Sequence, residues 1–446
     1  MLFFPLEVFE RKTVRAPEPC CVRVLTRSEH PVSRRYITSG ALRVLNRLYR
    51  AGHTAYLVGG SVRDLFLKRT PKDFDIVTSA RPTQVRKLFR NCRLIGRRFR
   101  LAHVHFSGGE IVEVATFRCT PELDQDDLLL RSDNRFGSPE EDAYRRDFTI
   151  NGLFYDISDY SVIDYVDGVR DIEKRVVRTI NDPWTRFQED PVRMIRAIKF
   201  ASKLNFKIES KTWAAMKEVR EAIHKSPPPR VQEELSRLLE EGASGRAITL
   251  LEECGLLEEL EPVLFSYLRD PSSRSEWDPD GGLIFDLLER IDEMVDETNK
   301  PSRAMLYSVW LLPHLLAEEF FEASGPDVLI RNVADKSLAA FGASRKDLER
   351  VSQLLLAVRR FHQGSRRSRK SAPKALLGKS YFSEALKVFE IFLKATGGDL
   401  EQLTWWLEQR ENHVKAKKPP ASPKKADSGS GEKRKSRRKR FRKRRS

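Results

Sequence analysis

Long apolar runs are missing from this 446-residue chain. None approaches the roughly eighteen residues needed to cross a bilayer as a helix, which excludes a helical membrane protein. Cysteine is scarce. Of five, only Cys20 and Cys21 lie close together, so the chain has neither metal-ligand spacing nor a disulfide framework. A reducing, cytoplasmic compartment is the expectation. The opening MLFFPLEVFERK has too short an apolar stretch for a signal peptide and lacks a small-residue cleavage site. No internal repeat is visible. The 40% of apolar and 33% of charged residues fit an ordinary soluble chain, long enough for two to four domains.

Charge is abundant but unevenly placed. Residues 415–446 hold sixteen Lys/Arg against two acids, so most of the formal net charge of +17 sits in one tail. Such an asymmetry points to a polyanionic partner rather than to a need of the fold. The tail is rich in Lys, Arg, Pro and Ser, and that composition cannot build a core.

Residues 1–38 carry prolines and no sustained period, and read as a mobile leader. From Ser39 the pattern tightens. SGALRVLNRLYRAG reads as a helix with a Ser start and a Gly stop. AYLVGG reads as a buried strand feeding the helix SVRDLFLKR, and DFDIVT as a second strand before a Pro-started helix, PTQVRKLFRN. CRLIG, LAHVHF and EIVEVATFR are strand-like, residues 119–138 an acidic excursion, and PEEDAYRRDFTINGLFYD a helix leading into a strand. After about Asn181 strand signals vanish and amphipathic helices follow, with a basic linker near 364–374.

The strongest local signal is Val58-Gly59-Gly60-Ser61 followed by Asp73-Phe74-Asp75-Ile76. The glycines let the backbone turn and approach a ligand closely, where a strand enters a helix whose free amides suit phosphate. Arg63 adds a cationic donor. Asp73 and Asp75, two apart, share one face, while Phe74 and Ile76 face the core. Two carboxylates on a rigid edge are what Mg²⁺ needs alongside substrate phosphates, and two such ions support phosphoryl chemistry.

In this order the motifs resemble the nucleotidyltransferase superfamily with a polymerase-β-like palm, and more closely its class II branch of CCA-adding enzymes and bacterial poly(A) polymerases. The matching segments are Arg63-Asp64, Glu113-Val114-Ala115-Thr116-Phe117-Arg118, Arg145-Arg146-Asp147-Phe148-Thr149-Ile150-Asn151-Gly152 and Glu189-Asp190-Pro191-Val192-Arg193, within about residues 40–260. The resemblance implies an α+β palm with a mixed sheet at 39–165. It is followed by an all-α neck at 166–265, a helical RNA-binding body at 266–414 and a disordered basic tail at 415–446. It also implies two Mg²⁺ (Mn²⁺ as a substitute) on Asp73 and Asp75, with ATP as substrate. Glu113 and Asp147 compete as third carboxylate, and the resemblance favours Asp147. Gly59, Gly60, Ser61, Arg63, Arg118, Arg146 and Asn151 would hold the nucleotide, and Asp190 with Arg193 would face its base. Three apart on one helix, that pair shares a face.

Within the branch, the stretch Leu94 to Val104, with Arg97, Arg98 and Arg100, resembles the one that separates bacterial poly(A) polymerases from CCA-adding relatives. Tail residues such as Lys433, Arg434, Arg437 and Arg438 would bind RNA backbones without sequence preference. His103 and His105 resemble a metal site only weakly; alternation without an acid in the same run favours packing histidines. The resulting expectation is a monomeric poly(A) polymerase acting on the 3′ ends of mRNA and other RNAs, with RNA-decay proteins as candidate partners. A tRNA CCA- or A-adding enzyme is the rival product. A non-catalytic RNA-binding protein on the same palm is the rival of another class, disfavoured because acids and glycines are all present.

Overall fold

The computed structural model describes residues 22–96, 101–119, 135–295, 300–367 and 374–417. Its first part is an eight-stranded mixed sheet: β1 (Arg23–Leu25), β2 (Ala55–Val58), β3 (Asp75–Thr78), β4 (Cys92–Ile95), β5 (Leu101–His105), β6 (Ile111–Thr116), β7 (Leu153–Asp156) and β8 (Val162–Asp164). Their order across the sheet is β1-β8-β7-β2-β3-β6-β5-β4, and only β3 and β6 run parallel.

The helices among these strands are α1 (Ser39–Arg50), α2 (Gly60–Phe66), α3 (Pro82–Leu88) and α4 (Pro139–Tyr144). α1 starts at the Ser that marks it in the sequence, but Thr38 just before it is the cap, its hydroxyl accepting from the Ala41 amide. Period-two burial splits the sheet into two faces. Leu57, Ile76, Val112 and Val114 join the main core with Val44, Leu45 and Leu48 of α1. On the opposite face Val58, Val77 and Phe154 form a smaller cluster with Phe117, Ala143, Val166 and Ile180.

Within the expected leader, the described residues are folded. β1 pairs antiparallel with β8 (Val24 opposite Ile163), and Leu25, Val32 and Ile37 are buried. The ordering comes from sheet pairing with residues far along the chain, which no local period reveals. Residues 1–21 lie outside the described residues, as does most of the acidic excursion, 120–134.

Helices dominate thereafter. α5 (Gly168–Lys174), α6 (Pro183–Glu189), α7 (Val192–Leu204), α8 (Ser210–Val219) and α9 (Pro228–Glu240) follow the sheet. The fading of strand signals at Asn181 has one exception. β10 (Lys207–Ile208) returns to pair with β9 (Val176–Val177), a two-residue tie too short to show as a pattern. After Ile208 the described residues hold only helices and short 3₁₀ turns, ending in Glu401–Lys417. The expected linker at 364–374 begins inside a helix, Arg345–Arg367. Gly364 marks a close crossing, where a Cβ would come within 2.9 Å of the Trp406 ring.

Candidate active site

Strand register assembles the site. Val58 on β2 lies opposite Asp75 on β3, Asp75 beside Glu113 on β6, and Glu113 opposite His103 on β5. Directly paired residues share a face, so Asp75, Glu113 and His103 form one row across the sheet. Phe74 and Ile76 are buried beneath it, as their alternation predicts. His103 Nε2 is 3.3 Å from Glu113 Oε1. The packing role expected for His103 is therefore replaced by contact with an acid, one supplied by the neighbouring strand rather than by its own run.

The Asp75 side chain reaches solvent, but protein closes around its carboxyl. That loss of hydration, then Glu113 and Asp73, push it up to about 6, with Arg146 pulling the other way. Crowded carboxylates of this kind fit a cation. Among the described residues no three acidic, His or Cys side chains converge to hold a metal unaided. Magnesium normally completes its shell with substrate phosphates and water, so an edge of two carboxylates is a fitting donor set.

The glycine turn follows Val58 directly. Gly59 has φ +71 and ψ −138, a conformation open to glycine but not to other residues, and a Cβ there would sit 3.3 Å from Arg146 Nη1. Arg146 is itself positioned from below: Nε and Nη2 donate to Asp142 Oδ2 at 3.2 and 2.9 Å, and Nη1 reaches the Asn151 carbonyl at 3.4 Å. Asp142, wholly buried, also accepts from the Arg145 side chain and the Arg118 amide. These arginines hold the carboxyl of Asp142 below the usual range despite its burial. Sequence reasoning passed over Asp142, although it lies three and four residues before the arginine pair, at helical contact spacing.

Several expected site residues turn inward instead. Ser61 donates its hydroxyl to the Val58 carbonyl at 2.8 Å and so braces the turn. Arg63 is buried; it donates through Nε and Nη2 to Asp64 and through Nη1 to Asn151 Oδ1 at 2.7 Å. Asn151 donates in turn to Asp147 Oδ1 at 3.1 Å, so both ends of its amide are used. The Asp147 carboxylate, favoured as the third acid, has partners on both oxygens. Oδ1 also accepts from the Phe148 amide, and Oδ2 accepts from Arg196 Nε and Nη2 at 2.9 and 2.6 Å. These partners, Arg196 foremost, outweigh burial and hold Asp147 far below the usual carboxylate range. The acid beside Asp75 is Glu113.

Arg196 was missed in the sequence. It continues through Nη1 to Glu234 on α9 at 3.0 Å, and Lys199 binds the other Glu234 oxygen. A signal existed: Arg193, Arg196, Lys199 and Lys203 recur every three or four residues, a cationic stripe on an otherwise apolar α7.

Asp190 and Arg193 do not share a helix. Asp190 precedes Pro191, which disfavours helical backbone at that position, and it sits at φ −150, ψ 88 in the break between α6 and α7. The pair still meets, with Arg193 Nε 4.0 Å from Asp190 Oδ2, an oxygen that also accepts from Arg230 at 2.9 Å. Asp190 Oδ1 is buried and, among the described residues, accepts no hydrogen bond. Arg97, Arg98, Arg100, Lys433, Arg434, Arg437 and Arg438 lie outside the described residues.

Known proteins resemble the chain in sequence and in fold. A family model described as the poly A polymerase head domain matches residues 55–178, and one described as a probable RNA and SrmB-binding site of polymerase A matches 205–268. Poly(A) polymerase I of Escherichia coli O157:H7 is 44% identical over 316 residues, covering 68% of this chain and 67% of that protein. A CCA-adding enzyme of Bacillus subtilis is 41% identical over 221 residues, covering 49% of this chain and 55% of that one. The crystal structure of the Bacillus stearothermophilus CCA-adding enzyme with CTP superposes with a TM-score of 0.62 at 25% identity, covering 84% of this chain and 82% of that chain. The chain belongs to the class II nucleotidyltransferase family of poly(A) polymerases and CCA-adding enzymes. It spans about two thirds of the length of the curated poly(A) polymerases it matches.

Proposed function

We propose that the chain is a template-independent poly(A) polymerase, which joins an RNA 3′-hydroxyl to the α-phosphate of ATP with release of pyrophosphate. The observation that carries this reading is the row Asp75–Glu113, flanked by Asp73 and facing the Gly59 turn with Arg146 beside it. Asp73 and Asp75 would hold two magnesium ions with the substrate. Bound there, such ions lower the charge barrier between attacking hydroxyl and leaving pyrophosphate. Glu113 is the third carboxylate of that edge. Arg146 faces the triphosphate across Gly59, where the missing side chain lets phosphate oxygens approach the backbone.

Asp190 and Arg193 read the adenine edge. The unsatisfied Asp190 Oδ1 is an acceptor awaiting a donor such as an amino group. ATP as the nucleotide is supported by the poly(A) polymerase relatives, which match more of the chain, at higher identity, than the CCA-adding one. The helical region 205–268 and the basic tail would hold RNA, in line with the family description of that region.

The deciding assay supplies radiolabelled ATP or CTP with two acceptors, an unstructured RNA and a tRNA lacking its terminal A. Long A tracts on the unstructured RNA are expected. Addition of C, or a stop after one A on tRNA alone, would refute the poly(A) assignment.

A further inference from the structure

A cleft of about 550 Å³ opens on the head away from the acidic edge, at the far end of α2. Arg27, Arg35, Lys68 and Arg69 line it with Ser33 and Tyr36, and no acid is among its described lining residues. All four cations are exposed, and none pairs with a carboxylate among the described residues. Their protein contacts are with neutral groups. Arg27 donates to the His30 carbonyl at 3.1 Å and Arg69 to the Lys203 carbonyl at 3.4 Å, while Arg35 lies over the Tyr36 ring and donates to its hydroxyl. Elsewhere on α2 the neighbouring arginine, Arg63, has an acid of its own.

The backbone accepts a strained conformation to keep this arrangement. α2 closes with the Lys68 amide on the Leu65 carbonyl and the Arg69 amide on the Asp64 carbonyl. That closure places Lys68 at φ 56, the left-handed position where glycine is the usual residue. Two consecutive cations thus stand at the cleft where the fold alone would favour a glycine. Beside them Tyr36 is 53% exposed, a ring with an arginine on one face. Unpaired cations along a groove together with an accessible aromatic are the combination that binds single-stranded nucleic acid.

We propose that this cleft binds the backbone of single-stranded RNA upstream of the reacting 3′ end, Arg27, Arg35, Lys68 and Arg69 taking phosphates and Tyr36 stacking on a base. The proposal rests on RNA being the acceptor. α2 begins in the glycine turn and ends at the cleft, so the two sites lie roughly 10 Å apart along its axis at 1.5 Å per residue. A short primer occupies the active site without reaching the cleft, and a longer one engages both.

The test uses the full chain and two oligo(A) strands, of about twenty and about two nucleotides, the longer exceeding the few nucleotides one such groove spans. The shorter, at ~3.4 Å or a little more per nucleotide, is too short to bridge the two sites. Acetylation of the Lys68 amine, read by mass spectrometry, is expected to slow several-fold with the long strand and not with the short one. K68Q/R69Q should weaken binding of the long strand and lower its salt slope by roughly 1.4, about 0.7 for each phosphate no longer neutralised on a single strand. The KM for ATP with the short primer should not change. Lys68 reactivity unaltered by the long strand, or an unchanged salt slope, overturns the proposal. So does equal protection by inorganic phosphate, which would mark a small-anion site. Both readouts are of binding and need no turnover. Wild-type protein that protects Lys68 but incorporates no AMP sinks the activity alone; active protein with unprotected Lys68 sinks the cleft alone.

Discussion

Two groups of acids a short distance apart in the motifs are treated in opposite ways by the fold. At the sheet edge Asp73, Asp75 and Glu113 crowd one another, and the Asp75 carboxyl is pushed up to about 6. Behind it runs a chain of paired polar and charged groups, Asp64–Arg63–Asn151–Asp147–Arg196–Glu234–Lys199, in which every member has a partner. The first group carries crowded like charge, which the proposed magnesium ions would relieve. The second is satisfied already, and it ties α2 and the turn before β7 to α7 and α9. It thereby ties the frame behind the acidic edge to α7, which begins beside the Asp190–Arg193 pair. On the proposed reading, motif residues divide between chemistry and the frame that aims it.

The largest break in this comparison should come from Arg196→Ala. It leaves Asp147 Oδ2 without its guanidinium and Glu234 without one of its two close cations, and losing one partner of a largely buried pair costs about 3 kcal/mol. Chemical denaturation should show that loss, and adding Asp147→Asn to the variant should restore part of it. If Arg196→Ala melts like the parent, the paired chain is not a structural tie.

Much of this was legible in the sequence. The alternation of Asp73–Ile76 gave the acidic face, and the glycines gave the turn, because both depend on neighbours along the chain. The fate of the second group was not legible. Asp147 finds Arg196 at a separation of 49 residues, and Arg63 finds Asn151 at 88. A motif match assigns such residues a shared site without saying which way each side chain turns. The contact of His103 with Glu113 escaped for the same reason, since it depends on register between two strands. The helix break at Asp190 was available in Pro191, whose ring disfavours helix at the preceding residue.

Gly59→Ala should have a smaller effect, about 1–3 kcal/mol, because alanine is strained at φ +71, ψ −138. Its new methyl also meets Arg146. A lower melting temperature and a higher KM for ATP are expected together; a change in stability alone would separate the turn from the triphosphate.

Glu261 sharpens the comparison as a third kind of acid, buried and with no ion pair among the described residues. Burial pushes its carboxyl from the ordinary 4.5 up to about 8, opposed only by the Leu264 amide. A raised carboxyl contributes stability that is fully present below about pH 4.5 and lost as pH rises through 8. Glu261→Gln should therefore stabilise the protein at pH 8.5 by on the order of 2 kcal/mol, with little change near pH 4. Equal effects at both pH values would contradict the assignment.

The distinction between the two acid groups is tested most directly by measuring AMP incorporation and thermal stability side by side for Asp75→Asn and Asp147→Asn. Asp75→Asn should lose at least ~10²-fold in rate while melting at or above the parent temperature, since it relieves like charges at the edge. Asp147→Asn should lower the melting temperature clearly, its residual rate falling far less than that of Asp75→Asn. The opposite pattern, with Asp147→Asn stable but inactive and Asp75→Asn active, would contradict the division of the motif acids proposed for this fold.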